Sequence, residues 1–557
     1  MAFVDARDLD ENRTLETDIC IVGSGPSGLA IAERFAGTRY RICILESGDQ
    51  EFSSRCQRLS RGEIIGEPHE PLNICRVRRF GGSTGRRGWG GWCKPLNPDD
   101  FEARAHIPES GWPIGYDDLL PYYRRAYETC GFTRVELAKS HAEPETTSGD
   151  VQREQCFLAP RMDFADAWTD PPLRDCGNLQ VYYNATVTQI CTEKSAEVVN
   201  ALEFSDGRRR LRISARLIVL ATGGIENARL LLLSDAVHSG GIGNRNDLVG
   251  RYFMEHPRIR WGHVTLASAA SALVDLDPTA LNHHGGRHIP AEIVMRQRNG
   301  LVLSRALRER EELLSSRSWL EPISERGEGQ GADAVRNMGF WLLKGRQPPH
   351  LLREMGKTAL HPVDAASALV FYKGPRAHRM RTHSFRFNSI FEQEPQYDSR
   401  VTLSDRRDRL GLRRVALDWQ ISSLTERTFE RTQAILAGYL RDLGHTVDFT
   451  PWTRGNPSAP AVGSVRHHMG TTRMSDTPNR GVVDPDCRVY GTRNLYIAGT
   501  SVFPTGGNDM VTLTAIAISH RIADRLERQL GDGAVADIAR PAGASRHQRP
   551  GDSLQKH

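Results

Sequence analysis

Two short stretches near the C-terminal end of this 557-residue chain hold side chains that can move a proton. The first, SVRHHMGTTRM, carries the adjacent histidines His467 and His468, followed by Gly470 and Thr471. The second, TGGNDMVTLT, places Asn508 about forty residues further on, where an apolar helical pattern begins. A histidine titrates near neutrality, so it can take the proton of an alcohol, which is itself a very weak acid. A second polar group on the same oxygen would aim the carbon–hydrogen bond, and such positioning is worth several kcal/mol of barrier. An alcohol oxidised in this way also loses a hydride. These residues therefore need an electron acceptor, and the elements that hold one must be found elsewhere in the chain.

They stand at the other end. Thr17 to Gly48 reads TDICIVGSGPSGLAIAERFAGTRYRICILESG. The apolar run Ile19 to Val22 predicts a buried parallel strand, and a helical pattern follows from Leu29 to Phe35. Between them Gly23, Gly25 and Gly28 match G-x-G-x-x-G. Gly23 permits the tight turn, Gly25 lets backbone approach a pyrophosphate, and Gly28 allows close packing of the helix. Pro26 and Ser27 open that helix, whose free N–H groups and positive dipole end suit phosphates. The second strand, Arg41 to Leu45, ends at Glu46 and Ser47. Glu46 is placed to accept hydrogen bonds from ribose hydroxyls, and its charge disfavours a 2′-phosphate. The motif predicts a dinucleotide site without separating FAD from NAD.

Composition narrows the class. The net charge is only +5, which argues against a dedicated nucleic-acid binder, and no apolar run is long enough to span a membrane. The first residues, MAFVDARDLDENRTLETD, are charged and have no apolar core, unlike a secretory signal. Ten Cys are scattered without CxxC or zinc-like spacing, so no metal site is expected. Cys20 and Cys43 fall in strand patterns as buried thiols, which fits a reducing cytoplasm.

The stretch Arg79 to Phe101 reads RFGGSTGRRGWGGWCKPLNPDDF, and six of its eleven residues from Gly81 to Gly91 are Gly, so backbone can approach a ligand closely. Ser83 and Thr84 add hydroxyls; Arg86 and Arg87 add charge. RFGGST followed by WGGWCKPLNPDDFE resembles the second flavin-contacting segment of the glucose–methanol–choline (GMC) oxidoreductases, in the branch of sugar oxidases and dehydrogenases. The resemblance implies FAD, contacted by Gly82, Ser83 and Thr84. Relatives that bind FAD covalently carry a His just after this Ser-Thr; here Gly85 to Gly88 stand instead, so non-covalent FAD is expected.

Other segments follow the same family order. A strand pattern, RLRISARLIVLATGG, ends at Ala221, Thr222 and Gly223, and the next helix carries Asn227, which resembles a residue beside the cofactor. Val187, within Thr186 to Thr188, matches a strand that contacts adenine. NLYIAG leads to Gly499 and Thr500, expected at the ribityl or phosphate chain. Met510 and Val511 start the last helix, whose N-terminus points at the flavin pyrimidine edge in relatives and favours the anionic reduced flavin. The family's H-x-x-G-T register falls on His467 rather than His468 and implies that His467 is the base. Asn508 matches the family's His-or-Asn partner. Asp509 stands where relatives have Pro; it either tunes His467, binds a cationic substrate group, or caps the last helix. His256, before Pro257, reads as a core histidine or as a group behind the site.

The implied fold class is α/β: a Rossmann-like FAD-binding domain with an antiparallel-sheet substrate domain. Residues 15–260 are assigned to the first, with an excursion towards the substrate near 95–175. Residues 261–452 form the second, 453–530 return to the FAD domain, and 531–557 read as a disordered tail. In the substrate domain Gln393 and Trp419 are candidates to contact a polar ring, with structural roles as the alternative. The Arg-rich stretch Ser304 to Arg381 is helical in pattern and carries no recognisable motif. The expected activity is FAD-dependent oxidation of a hydroxyl on a sugar, aminosugar or polyol, with oxygen or another acceptor taking the electrons. A silent flavoprotein and a nicotinamide-dependent dehydrogenase stand as alternatives.

Overall fold

The computed structural model describes residues 2–10, 14–84, 91–132, 149–160, 163–168, 173–267, 297–322, 330–343, 348, 350–373, 384–508 and 510–531. Expectations that fall on Arg86, Arg87, Asp509 and residues 532–557 lie outside the described residues. Gly531, expected to open the tail, instead closes the last helix.

The main sheet contains eight strands: β1 (Ala2–Asp5), β2 (Thr14–Val22), β3 (Ile42–Leu45), β4 (Leu179–Tyr183), β5 (Thr186–Thr192), β6 (Val199–Ser205), β7 (Arg210–Leu220) and β8 (Leu495–Ile497). Their order is β1-β4-β3-β2-β7-β6-β5, with β8 pairing beyond β6 on the free edge of β7. The pairs from β1 through to β7 are all parallel, as is β7 with β8. Both faces are covered, so β3 and the second half of β2 are unbroken apolar runs that are wholly buried.

The register sets the site. Val22 pairs with Leu45 and with Leu220, and Leu220 pairs with Ile497. Four strand ends therefore lie in one row. The turns that leave them, at Gly23, Glu46, Ala221 and Ala498, sit side by side, which is where open parallel sheets bind ligands.

Helices pack on this half. Helix α1 (Pro26–Phe35) follows Gly25, α2 (Tyr116–Thr129) lies across the same layer, and α3 (Gly223–Leu233) leaves β7. The aromatic density of α2 belongs to the core: Tyr123 and Tyr127 are completely buried.

A second, antiparallel sheet runs in the order Thr446–Phe449, Pro257–Thr265, Ser384–Phe391, Ser316–Pro322, Gln297–Leu303, Val151–Leu158 and Trp92–Cys93, with Gly463–Ser464 added on Pro257–Thr265. Its own core is centred on Trp261, Phe387, Phe391 and Phe429. The strands Arg400–Arg407 and Arg413–Asp418 do not continue this sheet; they pair with each other, and the second pairs with Gly62–Ile64, in a third. The segment between, which contains Pro395, breaks the chain direction. The Arg-rich stretch folds mainly into helices, among them α4 (Gln330–Leu343), α5 (Leu351–Leu360) and α6 (Pro362–Lys373), and the strand Ser316–Pro322 interrupts it. Helix α7 (Ser423–Asp442) covers the second sheet, and α8 (Val511–Gly531) returns to lie against α1 and α2. Among the described residues no helix is long and apolar enough to cross a membrane.

Candidate active site

A cleft enclosing about 1550 Å³, part of it open to solvent, runs over the aligned strand ends. Its walls include Gly23, Gly25, Pro26, Ser27, Glu46, Ser47, Gly82, Ser83, Thr84, Val187, Ala221, Thr222, Gly223, Gly499, Thr500, Val511 and His467. Residues spread over almost five hundred positions of sequence thus form one surface, as the motif reading requires.

The backbone fits a dinucleotide. Gly23 sits at φ 99°, and an added Cβ would lie 2.7 Å from the Ala221 carbonyl oxygen. A Cβ on Gly28 would lie 2.1 Å from the Gly23 oxygen, so this glycine lets the helix close on the strand rather than lining the cleft. A Cβ on Gly25 would meet nothing within 4 Å, so its backbone faces the open space that a pyrophosphate needs. Gly25 is also the N-cap of α1, with no side chain bonded to the first N–H groups, which leaves them for an anion. Glu46 is buried; it accepts from the Ser24 N–H at 3.1 Å, the Ser24 hydroxyl at 2.6 Å and the Gly48 N–H at 2.6 Å. Those bonds lock the carboxylate in place on the cleft wall, with acceptor lone pairs remaining for a ribose.

The two adjacent histidines face different surroundings. His467 is half-buried, and its Nδ1 lies 2.8 Å from Nδ1 of His256, the rings meeting edge-on at 82°. His256 is completely buried, and its Nε2 lies 2.9 Å from the carbonyl oxygen of Gly507. His468 instead stacks on Phe253 and lies beside His69, with ring centroids 5.6 Å apart. Burial pushes the His468 imidazole down to about 3, against the upward pull of Glu255. So weak a base is poorly matched to neutral chemistry, which favours its neighbour.

Glu255 organises the group. Its Oε1 accepts the backbone N–H of His467 at 2.5 Å and that of His256 at 3.0 Å, and Oε2 accepts that of Arg466 at 3.0 Å. Burial alone would raise this carboxyl. The bond from His69 and the fields of His468, His69 and His467 outweigh it and hold Glu255 at about 2. One ionised carboxylate thereby fixes the main chain beneath both His256 and His467.

Asn508 does not line the large cleft; it is buried behind it. His256 joins it to His467, bonding the carbonyl one residue before Asn508. The Asn508 amide nitrogen donates to Glu154 Oε2 at 3.1 Å, while its Oδ1 finds no partner among the described residues. Glu154 is kept ionised: the Lys94 and Arg317 charges outweigh the effect of its burial. A carboxylate can only accept, so the amide nitrogen must face Glu154 and Oδ1 the other way.

Some expected contacts take other roles. Gln393 is 1 % exposed; it accepts from Glu255 N–H at 3.0 Å and Trp419 Nε1 at 2.8 Å and donates to Gln420 O at 3.0 Å. Gln393 and Trp419 therefore brace the loop under Glu255 rather than presenting polar atoms to a ring. Asn227 is fully buried; it accepts from the Thr222 hydroxyl at 2.6 Å and donates to Ser501 Oγ at 2.9 Å, tying the two cofactor loops together from behind. Met510, at φ 57°, leads into α8 without lining the cleft.

The motifs missed a cluster of charges on the cleft wall. Arg76 and Arg78 pair with Glu226 at 2.8 and 2.7 Å, and Arg229 pairs with Asp408 at 2.8 Å. Arg78 also donates to Ser47 Oγ at 2.8 Å. The only hint in the sequence was the run of Arg just before the Gly-rich segment.

Sequence profiles of the GMC oxidoreductases match residues 106–258 and 395–519, as the N- and C-terminal parts of that family. The chain is 22 % identical to paromamine 6′-oxidase of Streptomyces fradiae, over 90 % of each chain. It is 25 % identical to 6‴-hydroxyparomomycin C oxidase of Streptomyces lividus, over 91 % of this chain and 92 % of that one. The fructose dehydrogenase large subunit of Gluconobacter japonicus is 24 % identical, over 94 % of this chain and all of its own. Among solved structures, pyridoxine 4-oxidase from Mesorbium loti shares the fold, with a TM-score of 0.56 at 16 % identity over 92 % of this chain and 99 % of that one. Formate oxidase of Aspergillus oryzae does so at a TM-score of 0.51 and 14 % identity, over 94 % of this chain and all of its own. The family supplies FAD where the glycine motif alone left the dinucleotide open, which sets the nicotinamide alternative aside. The chain belongs to the GMC oxidoreductases and is an FAD-dependent enzyme that oxidises the CH–OH group of its donor.

Proposed function

We propose that His467 is the base of this reaction and that its substrate is a sugar-like alcohol, an aminosugar or polyol. The observation that carries the first part is the chain of contacts from Gly507 through His256 to His467. A carbonyl oxygen can only accept, so Nε2 of His256 bears a hydrogen. A neutral imidazole has one N–H, so His256 Nδ1 is an acceptor and His467 Nδ1 is the donor to it. That leaves Nε2 of His467 without a hydrogen: a free lone pair on a ring that lines the cleft. His467 Nε2 takes the hydroxyl proton, and the resulting imidazolium keeps its Nδ1–H bond to His256. FAD, when bound, accepts the hydride from the same carbon.

Asn508 is buried behind the cleft with its amide nitrogen on Glu154, so the sugar-like substrate is inferred from the relatives. The two oxidases from Streptomyces named above act on paromamine and on 6‴-hydroxyparomomycin C, and the Gluconobacter subunit on fructose. The segment from Gly81 to Gly91 contains no His, Cys or Tyr, which supports FAD held without a covalent bond.

Anaerobic mixing with a panel of sugars, aminosugars, diols and simple alcohols tests the reading. Flavin bleaching should be fastest with a donor that carries a second polar group beside the reacting hydroxyl. His467→Ala should keep FAD and slow bleaching by about 10²–10⁴-fold. Undiminished bleaching in that variant would place the base elsewhere.

A further inference from the structure

Beside the His467–His256 pair lies a second polar cluster, made of His69, Glu255 and His468. Nε2 of His69, Nε2 of His468 and a carboxylate oxygen of Glu255 all lie within 4.8 Å of one another. Oε2 of Glu255 stands 3.4 Å from the first nitrogen and 3.6 Å from the second. The side chains of His69 and Glu255 are completely shielded from solvent, and that of His468 is 8 % exposed.

The three groups do not satisfy one another. Nδ1 of His69 lies 2.8 Å from the carbonyl oxygen of Glu70, which can only accept, so a neutral His69 ring carries its hydrogen on Nδ1. Nε2 of His69 then turns a lone pair towards Oε2, which is itself an acceptor. Nε2 of His468 has no hydrogen-bond partner among the described residues. A second proton on His69 would make its bond to Glu255 but would leave His468 as it is. Both separations also exceed the ~2.7–2.9 Å of a charge-assisted hydrogen bond. Among the described residues the ion-pair partners of Glu255 are these two histidines and no Arg or Lys; Arg466 is taken by Glu70 and Arg76 by Glu226.

One cation answers for all three. Ligands about 2.0–2.1 Å from a tetrahedral zinc ion stand about 3.3–3.5 Å apart, close to both separations. Two imidazole nitrogens suit a first-row transition ion rather than magnesium or calcium, which take oxygen ligands. The surroundings hold each ligand in place, as metal sites require. The Glu70 carbonyl anchors His69, and the main-chain N–H groups of His256 and His467 hold the other oxygen of Glu255. Trp419 packs edge-on against His69, and Phe253 stacks on His468. His468 also lines the cleft, which gives an ion a way in and a water access to the fourth position. Cysteine spacing could not reveal such a site, because its ligands are His and Glu from three distant parts of the chain.

We propose that His69 Nε2, His468 Nε2 and Glu255 Oε2 form a binding site for one divalent ion of the zinc class. Bound there, the ion balances the charge of Glu255 while the second oxygen keeps its hold on the main chain of His467. The inference does not depend on which residue is the base or on the substrate.

Full-length, FAD-loaded protein washed with a chelator tests it. Titration with Zn²⁺ should reveal one tight site per chain and raise the melting temperature. Co²⁺ should take the same site and give the intense visible bands of tetrahedral coordination, at wavelengths beyond the flavin absorption. His69→Gln and His468→Gln should each weaken Zn²⁺ binding about 100-fold and abolish those bands, while flavin absorbance shows that the variants still hold FAD. Absence of a tight zinc site in the parent protein would overturn the proposal. So would unchanged binding in either variant, which would place the ion on other histidines. If a variant fails to fold, the cobalt spectrum of the parent decides: the weak bands of octahedral coordination would overturn the assignment.

Discussion

His256 and His467 face each other through their Nδ1 atoms at 2.8 Å. With His256 Nε2 committed to the Gly507 carbonyl, only one tautomer of His467 satisfies the pair. His256→Ala should therefore let the His467 ring take either tautomer and slow flavin reduction by about 10–100-fold, with little change in apparent substrate affinity. His256→Gln, which can still accept from Nδ1, should recover most of the rate. Solid-state NMR of histidine-labelled holoenzyme reads the tautomer directly: a protonated Nδ1 on His467 is expected, and a bare one would remove the basis for this assignment.

Glu154 orients Asn508. Asn508→Ala should retain FAD and lower turnover by about 10–100-fold, because it removes the buried amide held against Glu154 behind the cleft. Glu154→Gln carries a second penalty. It leaves Lys94 and Arg317, both buried against that carboxylate at 3.0 and 3.3 Å, without their counter-charge. A stability loss of about 3 kcal/mol is expected in chemical denaturation.

Two glycines of one motif should fail differently. Gly25 has extended backbone (φ −69°, ψ 178°) and open space beside it, so Gly25→Val should fold normally yet purify without yellow colour. Gly28→Ala pushes a methyl group into the Gly23 carbonyl and should cost about 3 kcal/mol of stability, seen as a lower melting temperature even with FAD in excess. Circular dichroism and flavin absorbance on the two variants separate the effects.

Buried neutral histidines predict sensitivity to acid. Burial lowers His520 to about 4 and His468 to about 3. Below the ordinary 6.5 an unfolded chain takes up protons that these folded sites refuse. Their stabilising contribution is therefore full above about 6.5 and is lost as pH falls towards those values. At pH 5 the penalty is about 2 kcal/mol for each. His69, raised by Glu255 despite its burial, works in the opposite direction, so one variant must be compared with its parent. His520→Gln, which can still bond Thr129, should show a shallower loss of melting temperature between pH 7 and 5.

The cofactor half was legible because its requirements are local. A tight turn, a close helix and an acid at a strand end leave marks within thirty residues of sequence, and Gly23, Gly28 and Glu46 stand as that pattern demands. The family register pointed to His467, and the fold gives the two adjacent histidines different surroundings. What sequence spacing could not convey was the layer beneath. Glu255 and His256 matter only because Pro257–Thr265 pairs with Gly463–Ser464, a contact across two hundred residues, and Glu154 reaches Asn508 from still further away. Gln393, read either as a contact to a polar ring or as structural, takes up its polar atoms in bonds to groups from elsewhere in the fold.

The pairing of Leu495–Ile497 with the end of Arg210–Leu220 has a consequence for biosynthesis. The glycine turn is made first, yet the cleft gains its Gly499, Thr500 and Val511 wall only when the last strand and helix arrive. A nascent chain emerging in order carries an open, half-formed dinucleotide platform through most of its translation. FAD capture is thus a closing event that follows synthesis of nearly the whole polypeptide, and a ribosome stalled before residue 495 should hold a chain that cannot retain flavin.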